Sequence, residues 1–406
     1  MSLIRQQIEE REALNLAPAA ARSCESRGRM RPEEECSIRV AFQRDRDRIT
    51  HCKTFRRLKY KTQVFLAPAG DHYRTRLTHV LEVSQIARTI SVALRLNGHL
   101  TEAIALGHDL GHTPFGHAGE TVLNQLHPEG FRHYQQSLRV VDLLEHKGRG
   151  LNLSWEVRDG IVRHSKGRGD IFPLTTAAAH RKMTAEALPQ VQVVPIDVRM
   201  IPPEGAAELL SAATNSAISV TSANSGNTTT AAAAVHPILP ATLEGQAVRV
   251  ADIIAYVNHD LDDAVRAGLL REEQIPADLI ARLGATSAQR VDTMVRDLVE
   301  QTLAVGGQRL TMSPEISDGI VALRNFLFAN VYENYKIHAD FVRAMKVVRE
   351  LYHYFMEHDE YWEKTIDYPG DTPRDRMVCD YVAGMTDRYA LDLYKKIFLP
   401  APWSVL

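Results

Sequence analysis

The stretch LTHVLEVSQIARTISVALR, residues 77–95, decides the fold class. Its apolar residues recur every three or four positions, as on one face of a helix. The residues that fall close to this stripe are Leu77, Val80, Leu81, Ser84, Ala87 and Ile90. Asn97 and Gly98 follow, and such a pair is typical of a helix end. We therefore expect an amphipathic helix that starts near residue 77 and stops at this pair.

The same periodicity recurs along most of the chain, with little of the period-two alternation that strands show. Comparable patterns cover residues 101–110, 117–126, 136–146, 247–266, 287–304, 315–358 and 375–397. The sequence therefore predicts an all-α fold.

One region departs from this periodicity. Residues 168–240 are rich in Ala, Ser, Thr, Asn and Gly, and they contain few large apolar side chains that could offset the entropy cost of ordering. We expect a low-complexity, partly disordered insertion here, with a strand or ordered segment around VQVVPIDVRMI. It separates two halves of one helical domain, residues 38–167 and 241–406, which follow an N-terminal extension at residues 1–37.

Composition narrows the class of protein. A hydrophobic content of 45% with 24% charged residues is ordinary for a globular protein, and no apolar run reaches the roughly 18 residues of a membrane span. The N-terminus lacks the apolar stretch of a secretion signal, so we expect a cytoplasmic protein without membrane contact. The four cysteines lack metal-binding spacing and are expected to be free thiols. A net charge of −2 provides no global attraction to nucleic acid.

Three His-Asp doublets occur, at residues 108–109, 259–260 and 358–359. Only His108-Asp109 lies at the end of an apolar helix and is followed by a histidine-rich run, GHTPFGH. Adjacent side chains leave a helix about 100° apart, so both reach one ion only if it lies off the flank near the helix end. Glycines at 107, 111 and 116 would allow close approach of a ligand.

Two distant residues complete the predicted metal site. A lone histidine on an apolar stripe, such as His79, is usually a core residue, but the nearby doublet favours a ligand. Asp252 is flanked by Val, Ala and Ile, where an ionised carboxylate is costly unless a cation or a donor satisfies it. Two imidazoles and two carboxylates leave positions for water and phosphate oxygens, and they suit Mn, Fe, Co, Ni or Zn better than Mg.

At this point the chain resembles the HD-domain superfamily, and more narrowly the bacterial dGTPase-like deoxynucleoside triphosphate triphosphohydrolases. The resemblance rests on Arg76-x-x-His79, on HDLGHTPFGH at 108–117 and on DIIAY at 252–256. It extends through FQRDRDR (42–48), FRRLKYKTQVF (55–65), FRHYQQS (131–137), TLEGQ (242–246), LRNFLFANVY (323–332) and YVAGMTDRYA (381–390). It covers nearly the whole chain outside residues 168–240.

The resemblance implies an activity and a helical HD-domain bundle with additional helices. Such enzymes cut a dNTP into a deoxynucleoside and inorganic triphosphate, using a divalent metal. The implied metal ligands are His79, His108, Asp109 and Asp252. The resemblance also implies a homo-oligomer, often a hexamer.

It further assigns residues around the substrate. His117 held by Glu120 is the implied proton-transfer dyad over the α-phosphate, with His112 and His133 alongside. An imidazole suits this task because its ordinary pKa lies near neutral pH. The implied substrate contacts are Arg76, Tyr256 and Arg324 with the phosphates, Gln63 and Asp260 with the sugar 3′-hydroxyl, and Tyr332 with the deoxyribose face.

A basic stretch runs from Arg39 to Lys61. Interleaved Asp45 and Asp47 predict that part of it forms ion pairs on a solvated face. The remainder would suit polyphosphate, an allosteric nucleotide or single-stranded nucleic acid.

Two alternatives stay open from the sequence. An HD-type nucleotide phosphodiesterase or 5′-nucleotidase would use the same metal ligands, but it would not require Gln63, Tyr256, Arg324 and Tyr332 together. A nucleotide sensor or a single-strand nucleic-acid-binding protein would keep the fold without turnover. The presence of every ligand and of the His117-Glu120 pair favours the enzyme.

Overall fold

A computed structural model describes residues 3–63, 74–165, 239–332, 335–359 and 366–400, without the side chains of 3, 332 and 335–338. The predicted insertion at 168–240 lies almost wholly outside the described residues, as does the strand expected within it. The described ranges form fifteen α-helices and contain no β-strand. The predicted all-α fold is confirmed.

The described part of the first half of the chain contains eight helices. They are α1 (Leu3–Asn15), α2 (Ala41–His51), α3 (Lys53–Arg57), α4 (Arg76–Ala93), α5 (Gly98–Gly107), α6 (His117–Leu126), α7 (His133–Arg139) and α8 (Trp155–Arg163). Short 3-10 turns occupy Ser23–Glu25 and Leu58–Tyr60, and a π-turn at Val140–Leu144 extends α7.

The described part of the second half contains seven more. They are α9 (Leu243–Arg266), α10 (Ala277–Leu283), α11 (Ser287–Ala304), α12 (Pro314–Leu327), α13 (Tyr335–Glu357), α14 (Arg374–Ala383) and α15 (Asp387–Phe398). A 3-10 turn at Glu272–Gln274 precedes α10, and a π-turn at Phe328–Tyr332 follows α12. None of the described helices combines the length and apolarity needed to cross a membrane.

Helix α4 differs in detail from its prediction. It ends at Ala93, and Arg95, with φ of 53°, reverses the chain. Asn97 then caps the next helix, because its side chain accepts hydrogen bonds from the amides of His99 (3.1 Å) and Leu100 (3.3 Å). The Asn-Gly pair therefore starts α5 and does not end α4. Leu81 is 50% exposed and so lies off the buried face.

Two of the longer periodic stretches are interrupted. The pattern at 375–397 contains a break at residues 384–386, where Thr386 accepts a hydrogen bond from the amide of Tyr389 (3.2 Å) and begins α15. The pattern at 315–358 is divided by the π-turn after α12. Periodicity alone did not reveal these breaks, because the apolar spacing continues across them.

The helices pack around two hydrophobic cores. In the first core α9 lies against α4, α5 and α8, while α2 packs on α5. In the second core α6 packs on α13, and α13 packs on α14 and α15, around Phe355 and Val382. Each fully buried large apolar side chain contributes about 1.5–3 kcal/mol. The loop between α5 and α6, residues 108–116, crosses from the first core to the second and carries Phe115 into the latter.

Candidate active site

Four residues from three elements meet at the junction of the cores. His79 lies on α4, His108 and Asp109 follow the last residue of α5, and Asp252 lies on α9. Nε2 of His79 is 3.2 Å from Oδ1 of Asp252 and 4.0 Å from Oδ2 of Asp109. Nε2 of His108 is 3.5 Å from Oδ1 of Asp109. The doublet thus lies at a helix end, where both side chains can turn toward one point.

The chemistry of this cluster fits a divalent metal. Nδ1 of His108 donates to the carbonyl of Ala105 at 2.7 Å, so in the neutral ring the lone pair lies on the buried Nε2. That Nε2 has no hydrogen-bond partner among the described residues. Burial lowers the pKa of His79, which keeps that imidazole neutral, as a metal ligand must be.

Two carboxylates in one buried cluster also call for a cation. Although burial opposes ionisation, the Arg76 guanidinium and a hydrogen bond from His112 hold the pKa of Asp109 well below its usual value. Ligand atoms of His79, His108 and Asp109 lie within 4.8 Å of one another, and so do those of His108, His164 and Asp252. The cluster can hold a divalent metal.

The histidine-rich loop places a second group beside the cluster. Oε1 of Glu120 accepts hydrogen bonds from the backbone amide and Nδ1 of His133, both at 3.0 Å. His112 stacks on His133 with ring centroids 4.0 Å apart, and its Nε2 is 3.2 Å from Oδ1 of Asp109. Nδ1 of His117 lies 3.5 Å from Oε2 of Glu120, and the side chain of His117 is 69% exposed. All four residues are brought together, and Glu120 lies closer to His133 than to His117.

The ionisable side chains of Glu120, His133 and His112 differ in the direction of their pKa shifts. Burial acts against charge on Glu120, but His133 and His117 hold the pKa of its carboxyl well below the usual range. Burial likewise opposes charge on His133, yet the Glu120 carboxylate raises its pKa above the ordinary value. Burial and Arg76 lower the pKa of His112 well below the ordinary value. The Glu120 carboxylate therefore favours the protonated form of His133, while the stacked ring of His112 favours the neutral form.

The loop backbone depends on two glycines. A Cβ at Gly111 would overlap the backbone of Ser137 and the carbonyl of His133, so glycine lets the doublet pack against α7. Ser137 completes this contact, since its Oγ accepts from the Gly111 amide at 2.8 Å and donates to the His108 carbonyl at 2.6 Å. Gly116 has φ of 55° and ψ of −123°, a conformation open to glycine.

Arg76 contacts a residue that the resemblance did not pair with it. Its NH1 donates to Oδ2 of Asp109 at 2.7 Å, and the side chain is 2% exposed. The guanidinium therefore holds one of the predicted metal ligands. A phosphate contact by the same residue stays a prediction.

Two of the other predicted substrate residues lie on the same helix as Asp252. Tyr256 and Asp260 follow Asp252 at four-residue intervals, so all three share one face of α9. Burial raises the pKa of Tyr256, and the charges of Asp260 and Arg324 also act on its hydroxyl. Gln63 is the last described residue before a gap, and its buried Oε1 has no partner among the described residues. The side chain of Tyr332 lies outside the described residues.

Sequence reasoning missed His164, the residue after α8. Its Nδ1 donates to the carbonyl of Ile161 at 2.6 Å, and its Nε2 lies 3.3 Å from Nε2 of His133 and 4.0 Å from Oδ1 of Asp109. Burial lowers its pKa to about 3, so the imidazole is neutral. A single histidine at a helix end, without a neighbouring motif, carried no signal that could have identified it.

The first part of the basic stretch is paired with carboxylates, in line with the prediction that part of it forms ion pairs. Asp47 contacts Arg39 at 2.7 Å and Arg46 at 2.9 Å, while Glu33 contacts Arg44 at 3.1 Å and Arg48 at 2.8 Å. These residues form an ion-pair network around the start of α2.

Comparison with known proteins agrees with this geometry. A family model described as "HD domain" matches residues 76–203, and one described as "Phosphohydrolase-associated domain" matches residues 310–396. HD domains bind divalent metals, and the His/Asp cluster can hold one. The fold, the site and the matches to the two family models together define a hydrolase of the HD-domain class.

Curated relatives extend the match over the full chain. Proteins named "Deoxyguanosinetriphosphate triphosphohydrolase-like protein" from Caldanaerobacter subterraneus subsp. tengcongensis and Desulfatibacillum aliphaticivorans are 47% and 46% identical to it. The matches cover 98% of this chain in both cases, and 97% and 99% of the relatives. A protein of the same name from Clostridium perfringens is 42% identical, over 98% of each chain. The chain belongs to the family of deoxyguanosinetriphosphate triphosphohydrolase-like proteins.

Proposed function

We propose that this protein is a metal-dependent triphosphohydrolase that converts deoxynucleoside triphosphates into deoxynucleosides and inorganic triphosphate. One observation carries the proposal: the His79, His108, Asp109 and Asp252 cluster lies directly against the group of Glu120, His133 and His112, with Asp109 and His112 3.2 Å apart. A cation site beside a carboxylate-bound imidazole suits hydrolysis at a phosphorus atom. The names of the relatives support a nucleoside triphosphate as substrate.

The four cluster residues would hold the cation, whose positive charge would stabilise the charge that develops on the phosphate. Hydrolysis at the α-phosphorus adds water and breaks the bond to the 5′-oxygen, which must receive a proton. His117 would supply that proton, because its exposed ring is open to the substrate and Glu120 lies 3.5 Å away. Apo distances of this size commonly shorten when substrate binds.

His133 would orient Glu120 in this scheme. Its Nδ1 and backbone amide both bind Glu120, while its Nε2 faces His164. Arg324 and Tyr256 would bind the phosphates, with Arg76 also holding Asp109. Gln63 and Asp260 would contact the sugar 3′-hydroxyl. Tyr332 would pack on the deoxyribose face and exclude a 2′-hydroxyl.

The test is to incubate protein loaded with Mn²⁺ with each of the four dNTPs and with GTP, and to separate the phosphate products by ion chromatography. Inorganic triphosphate is expected from a dNTP, and in ¹⁸O-labelled water the label should enter triphosphate and not the deoxynucleoside. Release of only orthophosphate or pyrophosphate would refute the proposal and favour a nucleotidase or phosphodiesterase. No turnover with tight nucleotide binding would favour a sensor.

Asp109→Ala is the inactive control for this test, because it removes a cluster carboxylate. Asp359→Ala is the matched control, since Asp359 belongs to another His-Asp doublet and pairs at 3.5 Å with Arg374 on the surface. We expect triphosphate release to be lost in the first variant and kept in the second.

The proposal includes a cytoplasmic homo-oligomer, for which a hexamer is the family expectation. Light scattering coupled to size-exclusion chromatography, with and without dNTP, measures the number of subunits. The same experiment with an added second nucleotide or a single-stranded oligonucleotide tests an allosteric partner.

A further inference from the structure

The first residue of α15 contacts the loop between α5 and α6, which carries His112 and leads into His117. Oδ1 of Asp387 accepts a hydrogen bond from the backbone amide of Phe115 at 2.9 Å. Oδ2 accepts from the amide of Thr62 at 2.8 Å and from its hydroxyl. Asp387 is only 6% exposed, so these bonds are shielded from water. One carboxylate therefore ties the C-terminal helices to two segments beside the site.

The loop needs such an external contact because its backbone is strained. Phe115 has φ of 59°, a left-handed conformation that costs a bulky residue about 1 kcal/mol or more. Gly116 follows with φ of 55°, and α6 begins with His117. The Asp387 bond to the Phe115 amide thus sets the peptide plane two residues before His117.

A buried lysine links an earlier residue of the loop, His112, to the end of α14. Nζ of Lys61 donates to the carbonyl of His112 and, at 2.9 Å, to the carbonyl of Ala383 at the end of α14. Lys61 is 1% exposed. The segment from His112 to Phe115 is therefore held at both ends by the connection between α14 and α15.

Apolar contacts that do not involve this carboxylate hold α15 in place. The second core joins Ala118, Val122 and Leu123 of α6 to α14 and α15 through buried apolar side chains such as Val382 and Ala390. That apolar contact holds the helices together whether or not Asp387 is charged. The specific effect of the carboxylate falls on the loop backbone.

We propose that Asp387 is a positioning residue for the reaction, acting through the Phe115 amide to place His117 over the substrate. This inference rests on the proposed function. It also assigns a task to the segment matched by the phosphohydrolase-associated model, which includes Asp387. The segment completes the active site from outside the first core.

Asp387→Asn tests this in the metal-loaded full chain. The amide keeps the size of the side chain but offers one oxygen. The amide and the hydroxyl of Thr62 together favour that oxygen on their side, so the Phe115 amide loses its acceptor. The matched control is Asp392→Asn, because Asp392 lies on the same helix with its side chain 62% exposed. The measurements are kcat and KM for triphosphate release, thermal stability, and hydrogen exchange of a peptide that spans residues 109–120.

We expect kcat of Asp387→Asn to fall by about 10- to 100-fold, as a misplacement near 1 Å produces. KM should stay within about threefold, because uniform binding is retained. The 109–120 peptide should exchange faster while peptides of α13 do not change. Asp392→Asn should match wild type in every measurement.

Three results would overturn the inference: an unchanged kcat, unchanged exchange in the loop, or faster exchange across α13 with a lowered melting temperature, which would mean general destabilisation. Absence of triphosphate from the wild-type reaction would instead refute the proposed function. The two failures are therefore distinguishable, because the exchange measurement does not depend on turnover.

Discussion

Oδ1 of Asp252 lies 3.2 Å from Nε2 of His79, although the two residues belong to helices from different halves of the chain. The contact exists because α9 packs along α4 in the first core. It places a carboxylate where the cation of the proposed site would lie.

Asp252→Asn should therefore weaken metal binding, because the amide removes the negative charge and keeps the shape. We expect the metal content after dialysis to fall at least about tenfold, as measured by mass spectrometry of the bound metal. Asp359→Asn, in the surface doublet, should retain the wild-type content. Equal metal content in the two variants would exclude Asp252 as a metal ligand.

Arg76→Lys tests the contact between the guanidinium and Asp109. A lysine keeps the charge but loses the fixed fork that reaches the carboxylate at 2.7 Å. Loss of a group that holds a ligand typically costs about 10- to 100-fold in metal affinity or activity. Titration of the metal-free protein with Mn²⁺ should show this weakening. An unchanged affinity with a raised KM would mean that Arg76 contacts phosphate alone.

Glu120→Gln should lower kcat and leave metal content unchanged. Glu120 bonds His133 at 3.0 Å and is not among the four cluster residues. Removing its charge takes away the carboxylate that raises the pKa of His133 and that faces His117. General acid–base groups commonly contribute about 10²- to 10⁴-fold, so a loss in that range is expected in steady-state assays. His117→Asn should cause a comparable loss, and wild-type turnover in that variant would exclude it as the proton donor.

Gly111→Ala should destabilise the fold. The added Cβ would overlap the backbone of α7 at Ser137, which cannot move as a flexible side chain would. We expect the free energy of unfolding to fall by about 3 kcal/mol, measured in urea. Gly98→Ala is the matched control, since Gly98 starts α5 and a Cβ there meets open space. Similar stability of both variants would contradict the close packing.

Glu244→Gln tests a buried carboxyl at the start of α9, outside the proposed site. Burial raises the pKa of Glu244 to about 7, while its Oε1 accepts from the amides of Asn97 (2.8 Å) and Ala21 (3.0 Å). A raised folded-state pKa stabilises the protein at low pH, and this contribution is lost as the pH rises toward 7. Between pH 5 and 8 the wild type should lose about 2–3 kcal/mol relative to the variant.

The Glu244→Gln variant keeps an oxygen for both amides but does not ionise at this position, so its urea midpoint should change less over that pH range. Glu273→Gln, at an exposed position, should follow the wild type. Parallel pH profiles for wild type and Glu244→Gln would contradict the raised pKa.

The sequence by itself determined the fold class and most of the candidate site. Apolar spacing in residues 77–95 and 247–266 indicated helices because it requires only local periodicity. The doublet at 108–109, together with its neighbouring histidines, indicated a metal site because such side chains are costly to bury without a cation. The family resemblance then connected His79 and Asp252 to that site.

Only the tertiary structure decided which distant groups meet. His164 carries no local signal, and the motif that contains Asp387 assigns it no role. Both reach the site because α8 and α15 pack against the elements around it. Arg76 binds Asp109, and Glu120 lies closer to His133 than to His117, for the same reason. Such contacts depend on how two separate cores pack against each other. Residue spacing along one helix does not determine that packing.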